Sequence, residues 1–136
     1  AYGTPTELLA DGKVFRTGEM YLIRAEARAE LNDLTGAAAD LNTLRDARIN
    51  GYTAQSFSSK SDLITAIMNE RFKELPFEGH RFFDAKRRNL PIIRLAVDAQ
   101  NNKTTLESGN FRFLLPIPNS EIQANPLMVQ NPGYTN

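Results

Sequence analysis

Two apolar-periodic runs of about fourteen residues, parted only by Asn32, Asp33, Thr35 and Gly36, constrain this chain more than any other feature. In the first, Thr17 is a candidate N-cap, and Glu19 and Met20 open a helical stretch reaching about Asn32. Met20, Ile23, Ala27 and Leu31 recur at spacings of three and four, which predicts one buried face. Ala25 and Ala29 sit beside it, and Tyr21 and Leu22 widen the arc; Arg24, Glu26, Arg28 and Glu30 read as a solvated face. The second run starts at about Gly36 or Ala37, carries Ala37, Leu41 and Leu44 with Ala38 in support, and ends near Ile49. Asn50-Gly51 supplies the stop, because glycine tolerates the left-handed backbone at a helix end. Two such helices on a short turn predict an antiparallel hairpin. That is the shape of one tetratricopeptide unit, although a single unit cannot show a period.

A polar loop over residues 51 to 60 holds Tyr52 and Phe57. Ser61 is the expected cap of a third helix, with Asp62 near its positive end. Ile64, Met68, Phe72 and Leu75 form its predicted stripe, flanked by Leu63 and Ile67, and Pro76 should end or kink it. A short helix over Arg81–Asn89 follows. Residues 90 to 110 show no period; Ile92 to Val97 suits either strand or helix. Phe111–Leu115 reads as extended up to Pro116 and Pro118, Ser120–Asn125 as one helical turn, and Asn131-Pro132-Gly133 as a turn. The fold class is mainly α: a tetratricopeptide-like hairpin, a third helix and long irregular loops. The length of 136 residues fits one domain. Long loops without regular structure signal function or support from a partner.

Composition removes whole function classes. Sixteen basic residues balance sixteen acidic ones, so the chain lacks the basic excess that phosphate binding needs. With no cysteine there is no disulfide framework, thiolate metal site or Cys nucleophile. No run approaches the roughly 20 apolar residues of a membrane helix, and no signal peptide opens the chain. The start at Ala1 reads as part of something longer. His80, the single histidine, has no Cys or second His for a metal site and no nucleophile in a recognisable context, so it reads as a turn residue after Gly79.

The densest chemistry lies at Glu70, Arg71, Glu74, Glu78, Arg81, Asp84, Arg87 and Arg88. A glycosidase-type pair drawn from Glu70, Glu74 and Glu78 needs two carboxyls about 5 to 9.5 Å apart across a cleft. One exposed helical turn offers no cleft, and nearby cations keep these acids ionised, against the raised pKa of a general acid. The expectation is therefore a structural charge network of Glu70, Arg71, Glu74, Glu78, Arg81, Asp84 and Arg87, with arginine forks locking one segment to another. A nucleic-acid patch of Arg81, Lys86, Arg87 and Arg88 with Phe82 and Phe83 is interrupted by Asp84, and its aromatics suit a core. Among aromatics able to stack on a sugar, Tyr2, Tyr52, Phe57 and Tyr134 fall in loops, whereas Phe72 and Phe111 look internal. There is no Trp, and Tyr52 and Phe57 are the best ligand-binding candidates; their alternative role is to pack the loop on the second and third helices. No metal, no cofactor and no enzymatic role are expected.

Four segments together resemble the C-terminal region of the SusD/RagB family. They are the run from Arg16 to Ala27, Leu41 to Arg48, Asn69 to Asp84 with Arg87, and Leu115 to Pro126 closed by Gln130-Asn-Pro-Gly-Tyr134. Their order and spacing make the match specific, and only residues 90 to 110 fall outside it. The resemblance implies a lipid-anchored protein on the outer face of a Gram-negative outer membrane. Such a protein sits over a TonB-dependent, SusC-like transporter and presents glycans or other nutrients to it, with helical repeats as scaffold and other loops as ligand site. The chain as a whole, residues 1–136, would be one C-terminal segment of that larger fold, lacking the lipidation cysteine and most ligand loops. The runner-up, from another class, is a free-standing helical-repeat domain that recruits a protein partner.

Overall fold

The three periodic runs become three helices because each can bury a narrow stripe only against the other two. A computed structural model describes residues 15–134. The lead-in expected over residues 1 to 15 therefore lies outside the described residues except at Phe15, as does Tyr2. Contacts group into two compact units, one ending at Glu78 and one beginning at Gly79.

In the first unit, α1 spans Thr17–Glu30, α2 spans Leu34–Asp46 and α3 spans Lys60–Glu74. The core is Leu22, Ala25, Ala29, Ala37, Leu41, Leu44, Leu63, Ile67 and Met68, with Leu34, Ala38, Phe57, Ile64 and Ala66 packed around it. Helices α1 and α2 form the expected hairpin, which buries Ala37, Leu41 and Leu44 as predicted. Ion contacts fix the direction of α3: Arg16 at the start of α1 meets Glu74 at the end of α3, and Glu30 meets Lys60 at its beginning. Helix α3 thus runs antiparallel to α1. An array of identical hairpins would point each first helix the same way, so the third helix does not open a second copy of the hairpin.

The buried face of α1 differs from the expected one by about half a turn. Gly18, Leu22, Ala25 and Ala29 are buried, whereas Met20, Ile23 and Leu31 are 42%, 47% and 81% exposed. Packing against two helices at once selects the small residues, since glycine and alanine let backbones approach where Met and Ile would hold them apart. A Cβ on Gly18 would stand 2.5 Å from Glu74 Oε1. On α3 the centre of the stripe is likewise displaced: Leu63, Ile67, Met68 and Leu75 are buried, Ile64 is half-buried and Phe72 is exposed. The caps also shift. Asp33 accepts from the Gly36 amide and starts α2 earlier than Gly36, and Ser59 rather than Ser61 accepts from the Asp62 amide. Arg16 occupies the N-cap position of α1 and Thr17 is already helical.

In the second unit, α4 spans His80–Arg87, two-residue strands β1 (Ile92–Ile93) and β2 (Thr105–Leu106) pair antiparallel, and α5 spans Asn119–Ala124. His80 opens α4 instead of standing in a turn. Phe111–Phe113 forms a tight helical turn capped by Asn110, not the expected extended segment, because the Asn110 side chain takes the Arg112 amide. Ile117 lies between two prolines that have no amide to donate, so its backbone has no neighbour with which to build regular structure. The Gln130 side chain supplies the missing partner. It accepts from the Ile117 amide at 2.8 Å and donates to the Ile117 carbonyl at 2.9 Å. Asn131 Nδ2 donates to the Leu115 carbonyl and the Tyr134 hydroxyl to the Leu114 carbonyl. The Tyr134 and Phe111 rings meet edge to face at 5.0 Å, and Gly133, at φ 87°, lies where any Cβ would enter the Phe111 ring.

Candidate functional site

The charged residues singled out in the sequence fall into two groups, one in each unit. In the first unit, Glu70 projects from α3 and is 6% exposed; Arg45 of α2, itself buried, donates through Nε to Glu70 Oε2 at 2.7 Å. Burial opposes the Arg45 charge, but hydrogen bonding to Glu70, together with Tyr52, outweighs it and raises its pKa. One turn on, Glu74 receives Arg48 at both oxygens (2.8 and 3.1 Å) and Arg16 at 3.0 Å. Arg16 also donates to the Glu74 carbonyl and pairs with Glu78. The Arg48 hydrogen bonds lower the Glu74 pKa against the effect of burial, and the Arg16 charge adds to the fall. Arg71 is buried on the same helix.

The partners of these acids were not legible in the sequence. Arg16, Arg45 and Arg48 lie on other segments, and only the packing of α3 brings them to Glu70 and Glu74. A further centre was missed entirely. Asp40 on α2, 4% exposed, receives Arg24 through Nε and Nη2 (2.9 and 2.6 Å) and Arg28 through Nη1 (2.8 Å). Arg24 also lies over the Tyr21 ring, and its pKa is raised, first by its hydrogen bond to Asp40. The α1 face expected to be merely solvated is therefore the one that clamps α2. The available signal was an aspartate one residue before Leu41 in an otherwise apolar stripe.

Tyr52 and Phe57 are occupied by the fold. The Tyr52 hydroxyl donates to Asn42 Oδ1 at 2.6 Å, while Asn42 and Gln55 exchange two further hydrogen bonds. Gln55 in turn accepts from Arg45, and Phe57 packs on the helical core. These contacts tie the 51–59 loop along α2, with both rings half-buried.

In the second unit, Asp84 is buried on α4 and receives Arg87 at 2.7 and 3.0 Å, while Arg81 is exposed on the same helix. Phe82 stacks on Phe113 at 5.5 Å and meets Phe83 edge to face at 5.7 Å. A shallow apolar cleft of about 470 Å³ opens between Phe82, Phe83, Phe113, Leu114 and Leu115. A second cleft, of about 420 Å³, lies between Phe82, the β1–β2 hairpin and Arg112. Among the described residues, no group of three or more His, Asp or Glu is placed to hold a metal ion, and no helix is long and apolar enough to cross a membrane.

Comparison with known proteins matches this geometry. Among curated proteins of Formosa agariphila, the chain is 29% identical over 133 residues to SusD-like protein P25, covering 90% of the chain and 24% of that relative. It is 32% identical over 127 residues to SusD-like protein P2, covering 88% of the chain and 25% of the relative. The chain thus spans about a quarter of the length of these relatives. A crystal structure of a SusD superfamily protein from Bacteroides vulgatus superposes with a TM-score of 0.74 at 31% identity, covering 90% of this chain and 28% of that one. A second B. vulgatus structure, provisionally described as sugar binding, gives 0.68 at 30%, with the same coverage. The SusD family model matches residues 4–134, nearly the whole sequence, and the chain belongs to the SusD family.

Proposed function

We propose that this chain is the C-terminal scaffold segment of a lipid-anchored, cell-surface protein that binds a glycan and hands it to a TonB-dependent, SusC-like transporter of the outer membrane. Binding and hand-over make or break no bond. The observation that carries the scaffold role is the internal use of the charges. Glu70, Glu74, Asp40 and Asp84 each face arginines at salt-bridge distance, and the arginines of the first unit tie one helix to another. A carboxylate held by two guanidiniums, with its pKa lowered, is the opposite of a general acid. The kinship with SusD-like proteins and with a structure described as sugar binding supports the glycan as cargo.

A second reading, a helical-repeat domain for a protein partner, is favoured by the exposed Met20, Ile23 and Leu31 on α1. One experiment separates the two. The full-length protein is purified from outer membranes in mild detergent, its co-purifying proteins are identified, and it is applied to a glycan array. A β-barrel transporter in the preparation together with glycan binding is the expected result. A different protein partner with no glycan bound would sink the first reading.

A further inference from the structure

The second cleft of the second unit has a composition that the scaffold role does not use. Its floor is apolar: the Phe82 ring, backed by its stack on Phe113, with Ile92 and Leu106 paired across the hairpin. The next rung of that hairpin is Arg94 and Thr104, joined by the Arg94 amide donating to the Thr104 carbonyl at 2.8 Å. Residues two apart on a strand share a face, so Arg94 stands on the same side as Ile92. Lys103 and Arg112 complete the rim, with Thr104 and Thr105 between. No acidic residue lines the cleft, and among the described residues no carboxylate lies within salt-bridge reach of Arg94, Lys103 or Arg112. Arg112 leans instead on the Phe111 ring at 5.0 Å.

These cations contrast with the arginines that engage the buried acids of the first unit. Sequence neutrality hides a division: residues up to Glu78 carry nine basic and twelve acidic side chains, and residues from Gly79 on carry seven and four. Asp40, Glu70 and Glu74 each engage arginine in the first unit, whereas three cations converge on this cleft without a counter-charge. Like charges grouped together repel, and a ligand that neutralises them removes that cost.

We propose that the Arg94–Lys103–Arg112 cleft binds a negatively charged sugar residue, a uronate or a sulfate ester, of the glycan carried by this protein. The inference rests on the glycan-binding reading above and narrows it to anionic glycans. Arginine's planar fork matches a carboxylate or sulfate. Phe82, Ile92 and Leu106 give the cleft apolar surface suited to the C–H side of a sugar ring, and the two threonine hydroxyls suit its hydroxyl groups. The volume of about 420 Å³ is that of a small-ligand site, within a range of roughly 300 to 1,000 Å³. A nucleic-acid strand would need a longer basic track and successive stacking rings.

The test applies full-length protein to an oligosaccharide array with three arms: neutral, uronate-containing and sulfated. Polyphosphate serves as a non-sugar control, and hits are followed by calorimetry at two salt concentrations. Binding confined to the charged arms is expected, weakening as salt rises. Arg94→Ala and Arg112→Ala should each weaken it about tenfold, the loss of one charged hydrogen bond, with melting temperature unchanged. The triple variant with Lys103→Ala should abolish it. Binding in the neutral arm alone, or equal binding by the triple variant, overturns this inference and leaves the glycan reading standing. Silence in all three arms overturns both. Polyphosphate bound as tightly as the sugars would show charge without sugar recognition and also overturn it.

Discussion

The two units of this chain hold themselves together by different means. Up to Glu78, three helices enclose Leu22, Leu41, Leu63 and Ile67 completely, and buried ion pairs lie beside that core. From Gly79 on, the buried residues among those described are Asp84, Ala85 and Phe113, while Leu95, Val97, Leu115, Leu127 and Val129 are 71% to 89% exposed. There the path of the chain is set by amides and hydroxyls on backbone groups. The contrast teaches that regular structure follows buried apolar area. Where that area is small, each turn needs its own polar partner.

The sharpest attempt to break the comparison removes a charge from the first unit. Arg45→Ala should cost about 3 to 5 kcal/mol by leaving Glu70 buried without its arginine, and Arg45→Met with Glu70→Leu should recover most of it. Urea denaturation midpoints read both. A small recovery would show that the pair itself, and not the uncompensated charge, matters. Leu22→Ala should cost about 3 kcal/mol, as a fully enclosed leucine does. In the second unit, Gln130→Glu should cost about 1 to 3 kcal/mol: an ionised carboxylate still accepts from the Ile117 amide but has nothing to donate to its carbonyl. Hydrogen exchange at Ile117 should speed up while the amides of α1 and α2 stay protected.

Acidification probes the first unit more gently. Because the folded-state pKa of Glu74 lies below its unfolded value, its stabilisation is complete above the ordinary glutamate range of about 4.3 and is lost as pH falls through the lower folded value. Glu74→Gln should flatten that part of the stability curve, as melting temperatures across pH would record. The smallest effect expected is at Val129→Ser, within about 0.5 kcal/mol, since Val129 is 83% exposed. A larger loss in the full-length protein would show that another part of the protein covers this residue.

Periodicity made the three helices, their lengths and the α2 stripe legible, because spacing alone encodes a helix. It misplaced the face of α1, where Met20, Ile23 and Leu31 carry more apolar area than Leu22, Ala25 and Ala29. Residue hydrophobicity does not announce that two neighbours demand small side chains. Asp84 and Arg87, three residues apart, could be read together from the sequence, but the arginines on Glu70 and Glu74 could not, since Arg16 and Glu74 are 58 residues apart. Tyr52 and Phe57 illustrate the same limit: the contacts of an aromatic in a loop depend on how the loop is laid on a helix, here through Asn42 and the helical core. The hairpin of residues 92 to 106 was opaque because four strand residues are too few to show a period.

The hold of Gln130 on Ile117 has a last consequence. It grips the peptide group and ignores the side chain, as do Asn131 on Leu115 and Tyr134 on Leu114. The segment 114–117 is therefore held through its backbone, and the side chains of Gln130, Asn131 and Tyr134 are what hold it. Its neighbours grip the route the chain takes, so the Leu115 side chain stays 74% exposed and open to whatever lies beside it in the longer protein.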